Sequence, residues 1–434
     1  MKSIFIITVF TKKGVLSVAY ALLSFMTTVS VWGQNVLPLD RLKEDPRRAY
    51  GTDYPYKQTD DVKLTKAPSG YKPFYISHYA RHGSRYSWSS SLYDNIDTVL
   101  TVAHMKHLLT PAGEDLLQQF MAVKEELLMG VSELTELGWQ QHQGIARTMY
   151  NNFPEVFKKG GNVLAISSQA GRCVMSMSAF CQELVQCNPK IEIREQASRF
   201  FQDGVVPDNK KFKYPENLKP RYEKNRNQFQ GEDNLNKNIL GRVFTSTEGL
   251  PLQPDHIAGE LIGLYKSLPS IGHEGMMGDL ITDQEIADRW EGDNLGAYSW
   301  LFGSHLQVIP ILQDILKKAA AAIDGTNNCI ADLRFGHDGH IGPLTILMGI
   351  NGADLDPEDP YEVKNCYQSW ETCKASNIQL IFYRSKKQPD NILVKCLMNG
   401  EEATLPVPTT SYPYYKWSDF LKFYTKRCEG VVTQ

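Results

Sequence analysis

The sequence predicts an α/β protein: a three-layer sandwich with a mainly parallel central sheet and an inserted, mostly helical cap. Short apolar segments, rich in aromatic and β-branched residues, alternate with segments of helical periodicity. This alternation is typical of a layered fold with a parallel sheet. The stretch from Arg199 to Trp290 interrupts the alternation, and it is polar and rich in Asn, Pro and Gly. We therefore interpret that stretch as part of an inserted cap.

Length, composition and charge exclude several classes of protein. The chain has 434 residues, of which 42% are hydrophobic, so it can bury a large core. It carries 46 basic and 49 acidic residues, a net charge of −3. A nucleic-acid-binding protein normally shows a broad basic surface, so we expect no nucleic-acid partner. Any site for an anion must be local.

Residues 1–33 are typical of a secretory signal peptide. They include Lys2, Lys12 and Lys13, no acidic residue, and an apolar stretch before Gln34. An uncleaved membrane anchor is the alternative, but serines and threonines leave a span that is short for crossing a bilayer. We expect cleavage, a periplasmic or secreted catalytic domain of residues 34–434, and no stable membrane association after cleavage.

The eight cysteines all lie in the predicted mature chain: Cys173, Cys181, Cys187, Cys329, Cys366, Cys373, Cys396 and Cys428. An even number in an oxidising compartment permits up to four disulfides. The close pairs Cys181/Cys187 and Cys366/Cys373 are candidates. Free buried thiols are the alternative, particularly for Cys329 inside an apolar segment. The connectivity stays open.

Each element of the predicted fold follows from a local pattern. The predicted strands are short and apolar: Lys72–Tyr79, Asn162–Ser168, Cys329–Phe335, Asn377–Arg384 and Ile392–Met398. The clearest helical stretches are Leu134–Phe153 and Arg172–Val185. The last two strands flank a polar turn, which predicts a hairpin at the sheet edge. We place the cap elements at about 90–130 and 199–290.

Three of the predicted strands end in clusters of polar residues. The clusters are Arg81-His82-Gly83-Ser84-Arg85, Ser168-Gln169-Ala170-Gly171-Arg172 and Gly336-His337-Asp338. The carboxyl ends of parallel strands meet at one edge of the sheet, where ligands of α/β proteins bind. We therefore expect a single site with three guanidinium groups, two imidazoles and one carboxyl group.

These residue types point to phosphoryl transfer. Guanidinium groups are planar and permanently charged, and they match phosphate oxygens in pairs. His82 can attack phosphorus, and a phosphohistidine is labile enough for water to complete the hydrolysis. Asp338 would protonate the departing alkoxide, and His337 would donate to phosphoryl oxygens. Gly83 would allow the loop backbone to approach the ligand.

The segment Arg81–Arg85 resembles the signature of the histidine acid phosphatases, which include phytases and multiple inositol polyphosphate phosphatases. The resemblance continues in matching order through Glu133–Gly138, Ser167–Arg172, Gly336–Asp338 and Tyr414–Trp417. It implies a cofactor-free enzyme with His82 as the phosphorylated nucleophile and Asp338 as the proton donor. The phosphate-binding residues that it implies are Arg81, Arg85, Arg172 and His337.

The subfamily stays open. Asp338 follows His337 directly, as in acid phosphatases and phytases, whereas Ala331–Phe335 and Tyr414–Trp417 are closer to the inositol polyphosphate phosphatases. Ser167-Ser168-Gln169 stands where Ser-Thr-Asp is usual. Inositol polyphosphates such as phytate are therefore candidate substrates among small phosphomonoesters.

One further expectation and two alternative functions follow from the sequence. The segment from Ser198 to Arg242 has ten basic and six acidic residues, including Lys210, Lys211 and Lys213, so it would attract polyanions if it borders the site. The first alternative function is a catalytically silent phosphate-binding relative. The second is a metal-dependent phosphohydrolase that uses His337, Asp338 and His340, although three arginines would repel a cation and we expect no metal.

Overall fold

The computed structural model describes residues 38–57, 62–207 and 231–429. The eight strands in these ranges are β1 (Tyr71–Arg81), β2 (Gly161–Ser167), β3 (Ile191–Gln196), β4 (Cys329–Gly336), β5 (Asn377–Ser385), β6 (Leu393–Met398), β7 (Glu401–Glu402) and β8 (Tyr414–Lys416). The first helices are α1 (Pro38–Glu44), α2 (Ser91–Met105), α3 (Pro111–Met129), α4 (Glu136–Asn152), α5 (Pro154–Phe157) and α6 (Gly171–Cys187). They are followed by α7 (Gly231–Val243), α8 (Pro254–Ile271), α9 (Asp283–Ser304), α10 (Ile309–Asp324), α11 (Asp338–Met348), α12 (Val363–Cys366) and α13 (Trp417–Glu429).

All eight strands belong to one sheet. Its order is β3-β2-β4-β1-β5-β6-β7, with β8 also paired to β6. Strands β1 to β4 are mutually parallel, β5 is antiparallel to β1, and β6 is antiparallel to β5. Five of the eight strands therefore share one direction, and the predicted mainly parallel sheet is confirmed. The β5–β6 hairpin is confirmed too, but β7 and β8 lie beyond it at that edge.

Helices cover both faces of the sheet. Alternate residues of β1 face opposite sides: Ile76 packs into the core shared with α4 and α6, whereas Tyr75 packs into the core shared with α10, α11 and α13. Alternation of this kind is the geometry of a strand that is buried on both faces. The three-layer sandwich is thereby confirmed.

A group of helices outside the sandwich forms the helical cap. Helices α2, α3, α7 and α8 pack against one another, although α2 and α3 precede the strand β2 and α7 and α8 follow β3. Thr110 begins α3, because its side chain accepts a hydrogen bond from the Gly113 N–H and Pro111 follows it. Lys210, Lys211 and Lys213 lie outside the described residues, as does the predicted signal peptide of residues 1–33.

No disulfide joins the cysteines, all eight of which are among the described residues and carry free thiols. The two candidate pairs are therefore wrong. Cys181 and Cys187 both lie on α6, and six residues of helix separate their Cα atoms by about 9 Å, beyond the reach of a disulfide. The Cys366 thiol donates to the Val363 carbonyl at 3.3 Å instead. Within the described part of the chain, no helix is both long and apolar enough to span a bilayer.

A buried histidine in β1 makes the stability of the fold sensitive to acid. Both ring nitrogens of His78 are buried and have no hydrogen-bond partner among the described residues. The ring packs against Phe180 and Phe335, at centroid distances of 5.0 and 5.5 Å. Burial lowers the pKa of His78 well below its usual value. The unfolded chain binds a proton at this position below about pH 6.5 and the folded chain does not, so folding stability is lost as the pH falls.

We expect His78→Leu to raise the free energy of unfolding by about 1 kcal/mol at pH 7, because it removes unsatisfied buried polar atoms. The gain should grow below pH 6.5 by up to about 1.4 kcal/mol per pH unit. Urea unfolding at pH 7 and pH 5 measures both values. His107→Asn, at an exposed position with φ 55°, is the matched control and should stay within about 0.5 kcal/mol of the parent. An equal pH dependence in His78→Leu and the parent would contradict this account.

Candidate active site

The sheet register brings the three polar clusters together. Arg81 at the end of β1 is paired with Gly336 at the end of β4. Beyond that pair, the His82 N–H donates to the Gly336 carbonyl at 2.9 Å. On the other side of β4, the Ser168 N–H donates to the Phe335 carbonyl at 2.9 Å. The loops that follow β1, β2 and β4 therefore meet at one edge of the sheet.

His82 has one ring nitrogen engaged and one available. Its Nδ1 lies 2.9 Å from the Gly83 carbonyl oxygen, which can only accept, so Nδ1 carries the proton. Its Nε2 has no hydrogen-bond partner among the described residues. Burial, followed by the charges of neighbouring arginines, lowers the pKa of His82 well below its usual value. The imidazole is neutral, with a lone pair on Nε2.

Gly83 is required by a close contact between two backbones. A Cβ at this position would lie 2.4 Å from the carbonyl oxygen of Gly138, in the first turn of α4. A Cβ on Gly138 would lie 2.3 Å from the Ser84 carbonyl oxygen. The two glycines thus allow the nucleophile loop to pack directly on the helix backbone. This contact is a requirement for glycine in addition to the predicted approach of the loop backbone to a ligand, which stays a prediction.

Three guanidinium groups surround the His82 ring, and their charges act on it together. The Nη1 of Arg81 donates to the carbonyl oxygens of Thr52 at 2.7 Å and Thr372 at 3.0 Å. Arg85 Nη1 donates to the carbonyl of the adjacent residue at 2.7 Å, and Arg172 Nη1 donates to a serine hydroxyl at 2.8 Å. The Nε of each arginine is buried and has no acceptor among the described residues. These Nε–H groups are enclosed by the protein, whereas Arg85 Nη2 is neither buried nor paired among the described residues, so it can donate to an oxyanion.

Asp338 is held as a carboxylate beside Arg81. Its Oδ2 accepts from Arg81 Nη2 at 2.9 Å, and its Oδ1 accepts from the Gly339 N–H at 2.9 Å. Burial favours the protonated acid. The charges of Arg81 and Arg85 and the hydrogen bond from Gly339 outweigh burial and lower the pKa of Asp338 to about 2. Its side chain remains 39% exposed, so a leaving group can reach it.

His337 connects the cluster Gly336–Asp338 to the cluster Ser168–Arg172. Its Nδ1 faces Arg172 Nη2 at 3.4 Å, and a guanidinium group has no acceptor, so Nδ1 is the acceptor. The proton therefore lies on Nε2, which donates to the Ser168 hydroxyl at 2.8 Å. Burial is the main cause that lowers the pKa of His337 to about 3. To donate to a phosphoryl oxygen, His337 would have to exchange its bond to Ser168.

The residues of the metal alternative do not form a ligand set. Among the described residues, no group of three or more His, Cys, Asp or Glu side chains is arranged to hold a metal ion. Asp338 is paired with Arg81, and His340 is a buried ring whose pKa burial lowers to about 4. The geometry of this site therefore favours an anion rather than a cation.

Several residues that contribute to the site carry no sequence signal. Thr52 and Thr372 hold Arg81 through their backbone carbonyls, for which any residue type would serve. Asp53 is close enough for its charge to interact with those of Arg81 and Arg85. Trp300 is 53% exposed and borders Gly339, where a Cβ would lie 3.3 Å from the indole ring. All of these residues come from segments distant in sequence from the three clusters.

No family model matches the chain, and no match was found among curated proteins. Solved structures do match. A multiple inositol polyphosphate phosphatase of Bifidobacterium longum, in complex with inositol hexasulfate, superposes with a TM-score of 0.68 at 19% identity over 86% of this chain and 96% of that one. The phytase from D. castellii gives a TM-score of 0.66 at 15% identity over 89% and 86% of the two chains. The Hafnia alvei phytase in complex with tartrate gives 0.55 at 14% identity over 83% and 99%.

The comparison confirms the resemblance to the histidine acid phosphatases at the level of the fold. The similarity extends over most of this chain and most of each matched chain. The fold alone does not assign the activity, and the argument for function depends on the residues at the edge of the sheet.

Proposed function

We propose that this protein is a phosphomonoester hydrolase of the acid phosphatase type that acts through a phosphohistidine, without a cofactor. The observation that carries the proposal is the position of His82. Its neutral ring has a free Nε2 and lies among three guanidinium groups, that of Arg81, which is buried, and those of Arg85 and Arg172, which are partly buried. A nucleophile among permanent cations is suited to phosphorus in an anionic ester.

The reaction has two steps. In the first step, His82 Nε2 forms a bond to phosphorus while the bond to the ester oxygen breaks, and Asp338 gives that oxygen its proton. In the second step, a water attacks the phosphohistidine, the Asp338 carboxylate accepts a proton from that water, and inorganic phosphate is released. Arg81, Arg85 and Arg172 neutralise the charge on the phosphoryl oxygens in both transition states.

The proton that Asp338 delivers must arrive with the substrate. With a pKa of about 2, the carboxyl is ionised before substrate binds, because Arg81 is beside it. A phosphate monoester has a second pKa near about 6, so below that pH it carries one proton into the site. In the complex the arginines lower the pKa of the bound phosphate, and the phosphate charge raises the pKa of Asp338, so the proton moves to Asp338. The reacting pair is then a fully ionised phosphoryl group on the arginines and a neutral acid beside the leaving oxygen.

We therefore expect kcat/KM to fall as the pH rises above about 6, where the protonated monoester disappears. On the acid side, a histidine of ordinary pKa would be half protonated at about pH 6.5. His82, whose pKa is held well below that value by burial and the neighbouring arginines, keeps its lone pair there, so activity should persist below about pH 6.5. Initial rates between pH 3 and pH 8 measure both limbs, with return to pH 6 as a control for unfolding. An acid limb centred near pH 6.5 would contradict a neutral buried His82.

Substrate identity is the second part of the proposal. We propose that the natural substrates are inositol phosphates or phosphates of related polyols. The support is that the similar structures are phytases and an inositol polyphosphate phosphatase, and that one of these binds inositol hexasulfate. A phosphate-release screen across sugar phosphates, nucleotides and inositol phosphates tests this substrate assignment.

We also propose export from the cytoplasm, supported by the apolar, acid-free residues 1–33.

A chromogenic aryl phosphate assay distinguishes the proposed function from its two alternatives. We expect hydrolysis that resists chelators and is strongly inhibited by vanadate, which mimics five-coordinate phosphorus. Loss of activity on chelation would favour a metal-dependent hydrolase. Binding of vanadate without any turnover would identify a silent phosphate-binding protein.

A further inference from the structure

An ion pair between a buried lysine and a partly exposed aspartate lies next to the segments that contact the nucleophile loop. The Nζ of Lys374 is 3.0 Å from Asp53 Oδ1, and it also donates to the Ser270 hydroxyl at 3.2 Å. The Lys374 side chain is only 2% exposed, whereas that of Asp53 is 40% exposed. The lysine therefore holds the pair in place from inside the protein, and the carboxylate is the member of the pair that a ligand can contact.

The pair lies within the segments that hold the nucleophile loop. Thr52, next to Asp53, accepts from Arg81 Nη1 at 2.7 Å. Ala375, next to Lys374, donates its N–H to the His82 carbonyl at 2.9 Å. The carboxylate is thus fixed to the same framework as Arg81 and His82, and its position relative to a bound phosphoryl group is set by backbone contacts.

The charge of Asp53 reaches the arginines of the site. Partial burial raises the pKa of its carboxyl, but Lys374 and then Arg81 and Arg85 lower it. Asp53 also lines a cavity of about 290 Å³ together with Thr52, Lys266 and Asp293. Lys266 and Asp293 pair with each other at 2.5 Å. The counter-ion of Asp53, Lys374, does not line this cavity, so Asp53 contributes an acceptor with negative charge to the lining.

We propose that Asp53, anchored by Lys374, is a specificity-determining residue that disfavours substrates with a second phosphate on this side of the transferring group. A hydroxyl there donates a hydrogen bond to the carboxylate, whereas a phosphate is repelled by it. The favoured substrates are monoesters and partly phosphorylated polyols with a hydroxyl at this position. The inference rests on the proposed phosphomonoesterase function, and it specifies that the preferred substrate carries no second phosphate near Asp53.

The test compares two substrates. For wild type and Asp53→Asn, kcat/KM is measured on inositol hexakisphosphate and on inositol monophosphate at low salt. We expect the ratio of the first to the second to rise about tenfold, on the order of one charge interaction across a few ångströms of protein and water. The rise should lie mainly in KM, because the repulsion acts on binding, and it should shrink as added salt screens the charges.

Two further variants keep the test decisive. Asp53→Asn leaves Lys374 buried without its anion, so the double variant Asp53→Asn/Lys374→Met removes both charges and should retain the raised ratio. Asp390→Asn removes an exposed acid in the β5–β6 turn, at the opposite edge of the sheet, and should leave the ratio unchanged. Active enzymes with equal ratios in wild type and both Asp53 variants would overturn this inference while leaving the proposed function intact. A wild type that hydrolyses neither substrate nor any other phosphomonoester would overturn the proposed function itself.

Discussion

His82→Ala is expected to abolish phosphate release while the protein remains folded. The substitution removes the atom that bonds to phosphorus, and removal of a nucleophile typically costs at least about ten-thousandfold in kcat. The neighbouring His337 is not free to substitute, because both of its ring nitrogens are engaged, one towards Arg172 and one towards Ser168. Phosphate release from an aryl phosphate, followed over hours, measures the residual rate.

The effect on folding should be small. His82 lies on a loop after β1, and its described side-chain hydrogen bond is the local one from Nδ1 to the Gly83 carbonyl. Loss of that bond costs about 1 kcal/mol, which thermal unfolding by circular dichroism can detect. Phosphate binding should survive, because Arg81, Arg85 and Arg172 remain. A variant that keeps more than about a hundredth of the wild-type rate would exclude His82 as the nucleophile.

Asp338→Asn is expected to lose far more activity on alkyl phosphates than on aryl phosphates. The alkoxide of a sugar or an inositol is a poor leaving group and needs a proton as it departs, whereas a nitrophenolate is already stable. Asparagine keeps the size of the side chain and an oxygen for Arg81 Nη2, but it has no proton to give. The loss should reach about a hundredfold or more on inositol monophosphate and be much smaller on nitrophenyl phosphate.

Equal losses on both substrates would contradict Asp338 as the proton donor. Asp338 would then act by orienting Arg81, with which it forms a hydrogen bond of 2.9 Å. In that case Asp53 is the next carboxylate to test, because its charge also interacts with those of Arg81 and Arg85 and its side chain is 40% exposed. The same pair of substrates, applied to Asp53→Asn, would decide between them.

The positions of the three clusters could be predicted from the sequence because strand ends are marked locally. Apolar, β-branched runs that stop at Arg81-His82, Ser168 and Gly336-His337 predict both the strands and the positions where they end. Because β1, β2 and β4 are parallel, these ends meet at one edge of the sheet. The cap was visible as a break in the alternation. These features depend on periodicity and on residue type, which a sequence shows directly.

The contacts that orient the cluster residues could not be predicted in the same way. Arg81 is held by the backbone carbonyls of Thr52 and Thr372. Every residue type has a backbone carbonyl, so the identity of these residues does not indicate the contact. Lys374 lies in the short link between a 3-10 helix, Ser369–Thr372, and the strand β5. The partner of its buried ammonium group is Asp53, some 320 positions away in the chain. The candidate pair Cys181/Cys187 was wrong because residues that are close in sequence within the helix α6 lie on different turns of that helix.

The measurement that tests the central claim most directly is the chemical identity of the enzyme-bound phosphate. Wild-type protein turning over a radiolabelled phosphomonoester is quenched with a denaturant in alkali, and the protein-bound label is then exposed to acid and to base. The account predicts one phosphate on a nitrogen of the peptide that contains His82, stable in base and released by acid, and no label on His82→Ala. Label on an acid-stable ester, or label that persists in His82→Ala, would contradict the phosphohistidine mechanism.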